Sequence, residues 1–301
     1  MYKSSLVDAV LANLSNSGFE VVDCRGSRSS FDVLAKRKDM LLLVKVLSNV
    51  EGLSRPSVSE LKRVSELLEA VPIVVSERMK SSLLNDGVVY DRYGVFVSTL
   101  NTLKEIIGNI PPRAYSTRGN YCVRVDRENL SDLRKMMGYT QDSFARELGV
   151  SKQSVYRYER SGRVSLEIFD KLVDMLGDDI RGADFKLTYE KSKLRDDSQG
   201  KITSLKRIVF NEFENMGFNT QLTNAPFDIV ARSDQRVFSV VSNDWRRIKD
   251  KLSVLDEISD IVGGYSVCIS ERRLKGEMSV LSPGELAEID SAEELFKLLS
   301  N

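Results

Sequence analysis

The segment 129–176 combines apolar periodicity with helix-capping residues, and it constrains the fold more than any other part of the chain. Thr140 and Ser151 stand where a hydroxyl can cap a helix, and Gly149 allows a tight turn between two helices. The periodicity predicts four short helices, at about 128–137, 141–148, 152–160 and 166–176. We expect these helices to enclose one small core made of Leu130, Leu133, Phe144, Ala145, Leu148, Val150, Val155, Phe169, Leu172 and Leu176.

Residues 140–162 read TQDSFARELGVSKQSVYRYERSG. This run resembles the helix-turn-helix domain of the lambda-repressor/Cro-like family, and the resemblance extends over about fifty residues. It implies that Gln141 contacts a phosphate of double-stranded DNA and that the third helix enters the major groove. Such domains usually bind as dimers to half-sites one helical turn, ~34 Å, apart, so we expect a homodimer.

The resemblance also implies roles for residues of the third helix. Its outward positions are Lys152, Gln153 and Arg157; Lys and Arg suit guanine, and Gln suits adenine. Ser154, Tyr156 and Arg163 are better placed for the DNA backbone. The complete set of expected DNA-binding residues is Gln141, Ser151, Lys152, Gln153, Ser154, Tyr156, Arg157 and Arg163.

Arg134 and Glu159 match a further feature of the family, in which an arginine of the first helix pairs with a glutamate at the end of the third. The resemblance implies that this pair holds the two helices together and contributes little to DNA contact. Burying both charges costs several kcal/mol, so we expect only a small net stabilisation.

Charge supports a DNA-binding surface only locally. The chain has 44 basic and 44 acidic residues, so any surface that binds a polyanion must be local. Residues 151–163 have a net charge of +3, from Glu159 and four basic residues, Lys152, Arg157, Arg160 and Arg163. Two alternatives to DNA binding stay open. Many helix-turn-helix modules bind proteins or only pack against the rest of their own chain, and a basic stretch is often simply a solvated face.

The first and last parts of the chain share four short islands in the same order, which indicates an internal repeat. Each copy predicts helices alternating with strands, and therefore a small α/β sheet. The islands are Leu6, Val10 and Leu14 before Gly18-Phe19 against Leu205, Val209 and Phe213 before Gly217-Phe218; 31–36 against 227–232; 74–78 against 268–272; and 97–107 against 289–299.

Residues 14–46 resemble the archaeal Holliday-junction resolvases and, more broadly, the PD-(D/E)-x-K nuclease superfamily. The resemblance rests on Gly18, Phe19, Gly26, Ser27, Asp32 and Lys45. In that superfamily the Asp and a Glu two positions before the Lys hold a divalent metal, and the Lys helps to activate water. Leu43 stands at the Glu position here, so the resemblance implies a degenerate site without catalytic residues.

The second copy retains less of this chemistry. Asp228 matches Asp32, whereas a gapless alignment places Ser239 and Val241 at the other two positions. Asp32, Asp228 and Lys45 also have purely structural explanations. An Asp at the start of a strand can cap the preceding turn, and Lys45 can lie at a sheet edge with its amine in water. A third reading is that the inherited fold now serves dimerisation or senses a ligand.

Composition excludes several functional classes. The chain has no histidine, which rules out Ser-His-Asp and Cys-His catalysis and the usual histidine metal sites. Its three cysteines are far apart and odd in number, which favours reduced thiols in the cytoplasm over a zinc site. No apolar run approaches the ~18 residues of a membrane span, so we expect no membrane association. We expect no metal and no cofactor.

These observations predict a multidomain chain, with an all-α helix-turn-helix domain between two repeated small α/β, restriction-endonuclease-like domains. Its predicted parts are 1–110, a linker 111–120, the helix-turn-helix domain 121–182, a linker 183–200, and 201–301. We expect a sequence-specific DNA-binding transcriptional regulator, not an enzyme, acting as a homodimer on double-stranded DNA. The alternatives are a DNA-targeted, structure-specific nuclease that uses the first α/β domain, and a protein-interaction module that binds no DNA.

Overall fold

A computed structural model describes most of the chain. The described residues are 3–25, 29–117, 120–177, 203–272 and 280–300, with Ile180, Gly182 and Leu187. Gly26 and Ser27, which contribute to the nuclease resemblance, lie outside the described residues, as does the predicted linker 183–200 apart from Leu187. Within the described ranges, no helix is both long and apolar enough to cross a membrane.

The chain divides into two compact units. The helix-turn-helix segment lies in the second unit, whereas the N-terminal part of the first copy and all of the second copy lie in the first. The domain boundaries given above stay a prediction. The first unit comprises Met1–Val46, Gly52–Ile73 and Tyr189–Asn301, and the second comprises Leu47–Glu51 and Val74–Thr188.

The first copy opens with a helix packed on antiparallel strands. Leu6, Val10 and Leu14 are buried on one face of this helix. Strand pairing sets Val21 opposite Ala35, and Val33 opposite Val44. In chain order the elements are α1 (Lys3–Asn16), β1 (Glu20–Asp23), β2 (Val33–Arg37), β3 (Met40–Asn49), a 3-10 turn (Val50–Gly52), α2 (Arg55–Leu68) and β4 (Val71–Met79).

Short strands surround one helix in the second unit before the helix-turn-helix segment. These elements are β5 (Ser82–Leu83), β6 (Val88–Arg92), β7 (Val95–Ser98), α3 (Leu100–Ile107), β8 (Ala114–Thr117) and β9 (Asn120–Arg124). β6 pairs antiparallel with β7 and parallel with β8, and β8 pairs antiparallel with β9. The predicted linker 111–120 therefore contains a strand, β8, and the first residue of β9.

The helix-turn-helix segment folds as α4 (Arg127–Met136), α5 (Gln141–Leu148), α6 (Lys152–Ser161), β10 (Arg163–Ser165) and α7 (Leu166–Leu176). The four predicted helices are confirmed, with bounds that differ by one residue at most. This part of the chain is not purely helical, because β10 pairs antiparallel with β9 and places Val164 opposite Val123. Both valines join the core of the helices.

The second copy forms its own five-stranded sheet in the order β11-β12-β13-β14-β15. The first three strands are antiparallel, and β14 runs parallel to both of its neighbours. Leu255 and Ile258 are buried in the long helix that follows the third strand. The elements are α8 (Ser204–Asn215), β11 (Asn219–Leu222), β12 (Ile229–Arg232), β13 (Arg236–Val241), α9 (Trp245–Val262), β14 (Tyr265–Ile269), β15 (Val280–Leu281), α10 (Pro283–Ala287) and α11 (Ala292–Leu299).

The two copies share the glycine turn that follows their first helix. Gly18 and Gly217 have positive φ angles of 79° and 87°. An L side chain adopts this left-handed conformation only at a cost, which explains why both copies use glycine there. The turn leads into Phe19 and Phe218, both buried.

The two copies also contact each other within the first unit, through equivalent positions. Lys36 Nζ in β2 donates to the Ile261 carbonyl near the end of α9, at 2.6 Å. The matching residue of β12, Arg232, pairs with Glu69 directly after α2, at 3.1 Å. These contacts are reciprocal, as they are between the subunits of a twofold-symmetric dimer.

Candidate nucleic-acid interface

Hydroxyl caps fix the starts of α5 and α6, and a glycine fixes the turn between them. Thr140 Oγ1 accepts a hydrogen bond from Ser143 N at 3.1 Å, and Ser151 Oγ accepts one from Ser154 N at 3.2 Å. Gly149 ends α5 in the left-handed conformation, with φ 70°. The hydroxyls satisfy backbone N–H groups that the first turn leaves free, so α6 begins at a defined angle to α5.

The inner face of α6 is held by the core of the domain. Val155 is 1% exposed and Tyr158 is 8% exposed. All ten apolar residues predicted for this core belong to it or pack directly against it. Since the inner face is buried, the rotation of α6 about its axis is fixed, and the opposite face is presented to solvent.

That outer face carries most of the residues expected to contact DNA. Six of them are exposed: Ser151, Lys152, Gln153, Tyr156, Arg157 and Arg163. Gln141 and Ser154 are half-buried. The structure therefore brings the base-reading candidates Gln153 and Arg157 together on one exposed face of α6. Their roles toward DNA stay predictions.

Glu159 joins α4, α5 and α6. Its Oε1 accepts from Arg134 Nε at 2.5 Å, and its Oε2 accepts from Gln141 Nε2 at 2.6 Å. Arg134 also donates to the Tyr139 carbonyl at 2.7 Å. The pair expected from sequence thus has a third member: Gln141, assigned above only to phosphate contact, is oriented by Glu159. The family pattern gave no signal for this contact.

Lys152 makes a contact that the sequence did not suggest. Its Nζ lies 3.2 Å from Asp142 Oδ2, and both side chains are more than half exposed. Exposed pairs of this kind contribute only ~0–1 kcal/mol. Lys152 can therefore leave Asp142 for an anion at little cost in free energy.

The first nuclease-like site is a buried carboxylate held by two lysines. Asp32 Oδ1 accepts from Lys3 at 2.8 Å, and Lys45 lies 3.3 Å from Oδ2. Oδ2 also accepts from Val46 N at 2.8 Å, and Lys45 donates to the Ser29 carbonyl at 2.9 Å. Burial lowers the pKa of the Lys45 amine, and the nearby Asp32 offsets only part of that effect.

These contacts correct the two structural explanations given above for Asp32 and Lys45. The Asp32 carboxylate accepts from Val46 on the neighbouring strand and so does more than cap a turn. The Lys45 amine lies against Asp32 instead of pointing to water. Leu43, at the position of the missing Glu, is fully buried.

The second nuclease-like site is more heavily charged. Asp228 is 2% exposed, and its Oδ1 accepts from Lys206 at 2.8 Å, Arg247 at 2.8 Å and Lys251 at 3.2 Å. Its Oδ2 accepts from Val241 N at 3.0 Å. Burial by itself would raise the pKa of Asp228, but Lys251, Lys206 and Arg247 outweigh it and hold that pKa below its usual range.

Strand register corrects the alignment of the two sites. Ile229 lies opposite Ser239, whereas the equivalent Val33 lies opposite Val44, so the second hairpin is one residue shorter. Phe238 and Val240 therefore stand at the positions of Leu43 and Lys45, in place of Ser239 and Val241. Neither Phe238 nor Val240 can bind a metal. The corrected alignment therefore leads to the same expectation for this copy, that it has no metal chemistry.

The divalent metal implied by the nuclease resemblance does not fit either site. Mg²⁺ is usually held by one or two carboxylates with free oxygens, together with phosphate oxygens. The oxygens of Asp32 and Asp228 are instead taken up by lysine, arginine and backbone donors. The described residues contain no group of three or more His, Cys, Asp or Glu that could hold a metal ion.

Trp245 begins α9 and is 39% exposed. The neighbouring Arg246 and Arg247 follow it in the first turn of the helix. Only Arg247 reaches the second nuclease-like site.

Comparison with known proteins identifies both parts of the chain. Residues 3–112 match the PD-(D/E)XK superfamily domain, and residues 130–179 match a helix-turn-helix family. A protein of Methanocaldococcus jannaschii, provisionally named an HTH-type transcriptional regulatory protein, is 30% identical over 90% of this chain and 88% of its own length.

Relatives from other archaea carry the same provisional name. One from Archaeoglobus fulgidus is 28% identical over 98% of this chain and 97% of its own length. One from Methanocella arvoryzae is 30% identical over 99% of this chain and 96% of its own length. The chain, whose PD-(D/E)XK superfamily domain precedes its helix-turn-helix domain, therefore belongs to this archaeal family of HTH-type transcriptional regulatory proteins.

Proposed function

We propose that the protein is a sequence-specific DNA-binding regulator of transcription, with α6 lying in the major groove. The observation that carries this proposal is that α6 has one buried face and one exposed face. Val155 and Tyr158 fix the inner face in the core, and Gln153 and Arg157 project from the outer face. A helix held in this way presents its donors in a fixed pattern, which base recognition requires.

The donors on α6 fit base edges. Arg157 can bind guanine O6 and N7 through two hydrogen bonds, and Gln153 can bind adenine N6 and N7. The hydroxyls of Ser151, Ser154 and Tyr156 suit phosphate oxygens, which set the register of the protein on DNA. The relatives' names as transcriptional regulators support the same assignment.

A binding-site selection on genomic fragments with the purified full chain tests this proposal. We expect the wild type to enrich one motif. The double substitution Gln153→Ala with Arg157→Ala should retain weak binding but enrich no motif, because phosphate contacts remain and base contacts do not. Lys135→Ala, an exposed basic residue on α4, is the charge control and should enrich the wild-type motif. An unchanged motif from the double variant would overturn the assignment.

We further propose that the protein acts as a homodimer. Helix-turn-helix domains typically bind half-sites about 10 base pairs apart from centre to centre, related by the twofold axis of the dimer. The selected motif should then be an inverted repeat, and light scattering should give twice the mass of the chain. A single half-site bound by a monomer contradicts this proposal.

We also propose that the first nuclease-like site does not cleave DNA. Its carboxylate is paired with Lys3 and Lys45, and Leu43 replaces the second carboxylate. Supercoiled plasmid and a four-way junction should stay intact when incubated with the protein and Mg²⁺ or Mn²⁺. Cleavage that Asp32→Ala abolishes would show that the domain is a nuclease.

A further inference from the structure

The second nuclease-like site holds more positive charge than its carboxylate can balance. Three cations, Lys206, Arg247 and Lys251, converge on one oxygen of Asp228. We call these three residues the basic cluster. With one negative charge against three positive charges, the site has a net charge of +2. Within the described chain, no other carboxylate forms an ion pair with the basic cluster.

This excess positive charge is unfavourable in free energy because two of the three cations are largely buried. The Lys251 side chain is 7% exposed and that of Lys206 is 19% exposed. A buried charge without a partner loses its hydration and gains nothing in return, whereas one cation would be enough to neutralise Asp228. Burial lowers the pKa of Lys251 even with Asp228 beside it, which is the effect expected of a cation that lacks its full share of negative charge.

The donors of the basic cluster are largely unused. Two ammonium groups and a guanidinium offer about eleven N–H donors between them. In the described part of the protein, the side chain that accepts from all three residues is Asp228 alone. The equivalent site at Asp32 is different, because Lys45 divides its donors between that carboxylate and the Ser29 carbonyl.

The basic cluster meets solvent at Arg247. The Arg247 side chain is 47% exposed, whereas Lys206 and Lys251 lie progressively deeper. A ligand arriving from solvent therefore meets Arg247 first. The guanidinium at the entrance can bind two oxygens of such a ligand at once.

We propose that the basic cluster binds a dianionic phosphate group, either inorganic phosphate or the terminal phosphate of a small monoester. The net charge of +2 matches a monoester phosphate, which carries about −1.5 to −2 at pH 7. A phosphodiester of DNA carries about −1, one charge per phosphate, and matches the site less well. The proposed role is binding alone, because the Asp228 carboxylate is already ion-paired with three cations and so is not free to hold a metal or act as a general base.

Isothermal titration calorimetry of the full chain at about pH 7.5 tests the proposal with inorganic phosphate, methyl phosphate and dimethyl phosphate. The first two should bind, and dimethyl phosphate should bind at least about tenfold more weakly because it is a monoanion. Arg247→Gln should weaken phosphate binding by about tenfold or more. Arg246→Gln removes the same charge one residue away, without a contact to Asp228, and should leave binding unchanged. Equal affinity of the wild type and both variants would overturn the proposal.

Two further measurements separate a free phosphate from the DNA backbone. Affinity for methyl phosphate should fall between pH 7.5 and 5, because its second pKa is about 6 and the ligand becomes a monoanion. Arg247→Gln and Arg246→Gln should bind random duplex DNA equally well. A loss of duplex binding confined to Arg247→Gln would assign the basic cluster to the DNA backbone and contradict the proposal.

Discussion

Among single residues, Glu159 both holds helices together and orients a residue proposed to contact DNA. It receives hydrogen bonds from Arg134 on α4 and Gln141 on α5 while standing on α6 itself. The Arg134 and Glu159 side chains are 8% and 11% exposed. One carboxylate therefore sets the positions of three helices and orients an amide proposed to contact phosphate.

Removing this carboxylate should destabilise the protein strongly. Glu159→Ala leaves the Arg134 guanidinium buried without its partner, which typically costs about 3–5 kcal/mol. Urea unfolding of the full chain measures the free energy of unfolding of each variant. Glu167→Ala is the control, because Glu167 is 80% exposed and its ion-pair partner in the described part of the chain, Lys171, is also on the surface. Its effect should stay within about 0.5 kcal/mol. Equal effects of the two substitutions would show that the Glu159 network does not hold the helices.

Asp228 should make stability depend on pH in the acid range. Its folded-state pKa is lowered, so its contribution is fully present above the unfolded value of about 3.9 and is lost as pH falls through the folded value. Stability contributed by this group should therefore be constant from pH 7 to about 5 and decline below about pH 4. In Asp228→Asn the decline should be shallower. Identical pH profiles of unfolding free energy would contradict the ion pairing.

At the scale of helices and strands, the helix-turn-helix part was predictable because its signals are local. Caps such as Thr140 and Ser151, the turn at Gly149 and the apolar period all act within a few residues. The strands β8 and β9 were missed for the opposite reason. Each is four or five residues long, beside a Pro-Pro pair, and is stabilised by partners distant in sequence, β6 and β10. Local periodicity contains no information about such partners.

The nuclease-like sites show a similar limit of prediction. Asp32 and Lys45, singled out from the sequence, lie 3.3 Å apart because the β2–β3 hairpin brings the start of one strand beside the other. The motif gave no indication that Lys3 or Arg247 would reach the carboxylates, since both come from helices outside it. Even the helical lysine differs between copies: Lys206 aligns with Val7, and Lys3 lies one turn earlier. Each carboxylate therefore obtained its cation from a different turn of the helix.

Gly162, between α6 and β10, should tolerate no side chain. Its φ is 63°, and an added Cβ would lie 2.8 Å from the Val125 carbonyl oxygen. Gly138 has a similar φ of 76° but open space around it. Gly138→Ala should therefore cost only the conformational strain, about 1 kcal/mol, and Gly162→Ala about 2–3 kcal/mol. Thermal unfolding measures both losses of stability, and equal losses would show that the Val125 backbone does not constrain the end of α6.

At the scale of the whole molecule, the two nuclease-like copies form a pair within one chain. Lys36 and Arg232 hold equivalent places in the reciprocal contacts between them. These contacts occupy Lys36 and Arg232, so the homodimer proposed above would use other surfaces. The chain thus contains two repeated α/β copies, the first of which matches the PD-(D/E)XK superfamily domain, and a helix-turn-helix part proposed to read DNA.

The most direct test of this account is the ratio of two affinities of the full chain, for the selected DNA site and for random duplex of equal length at one salt concentration. Because the chain has no net charge, non-specific attraction should be weak, and the ratio should reach at least ~10³. Arg157→Ala should reduce this ratio by about tenfold, whereas Arg163→Ala should weaken both affinities equally. Equal affinity of the wild type for both duplexes would contradict the proposal that α6 reads sequence.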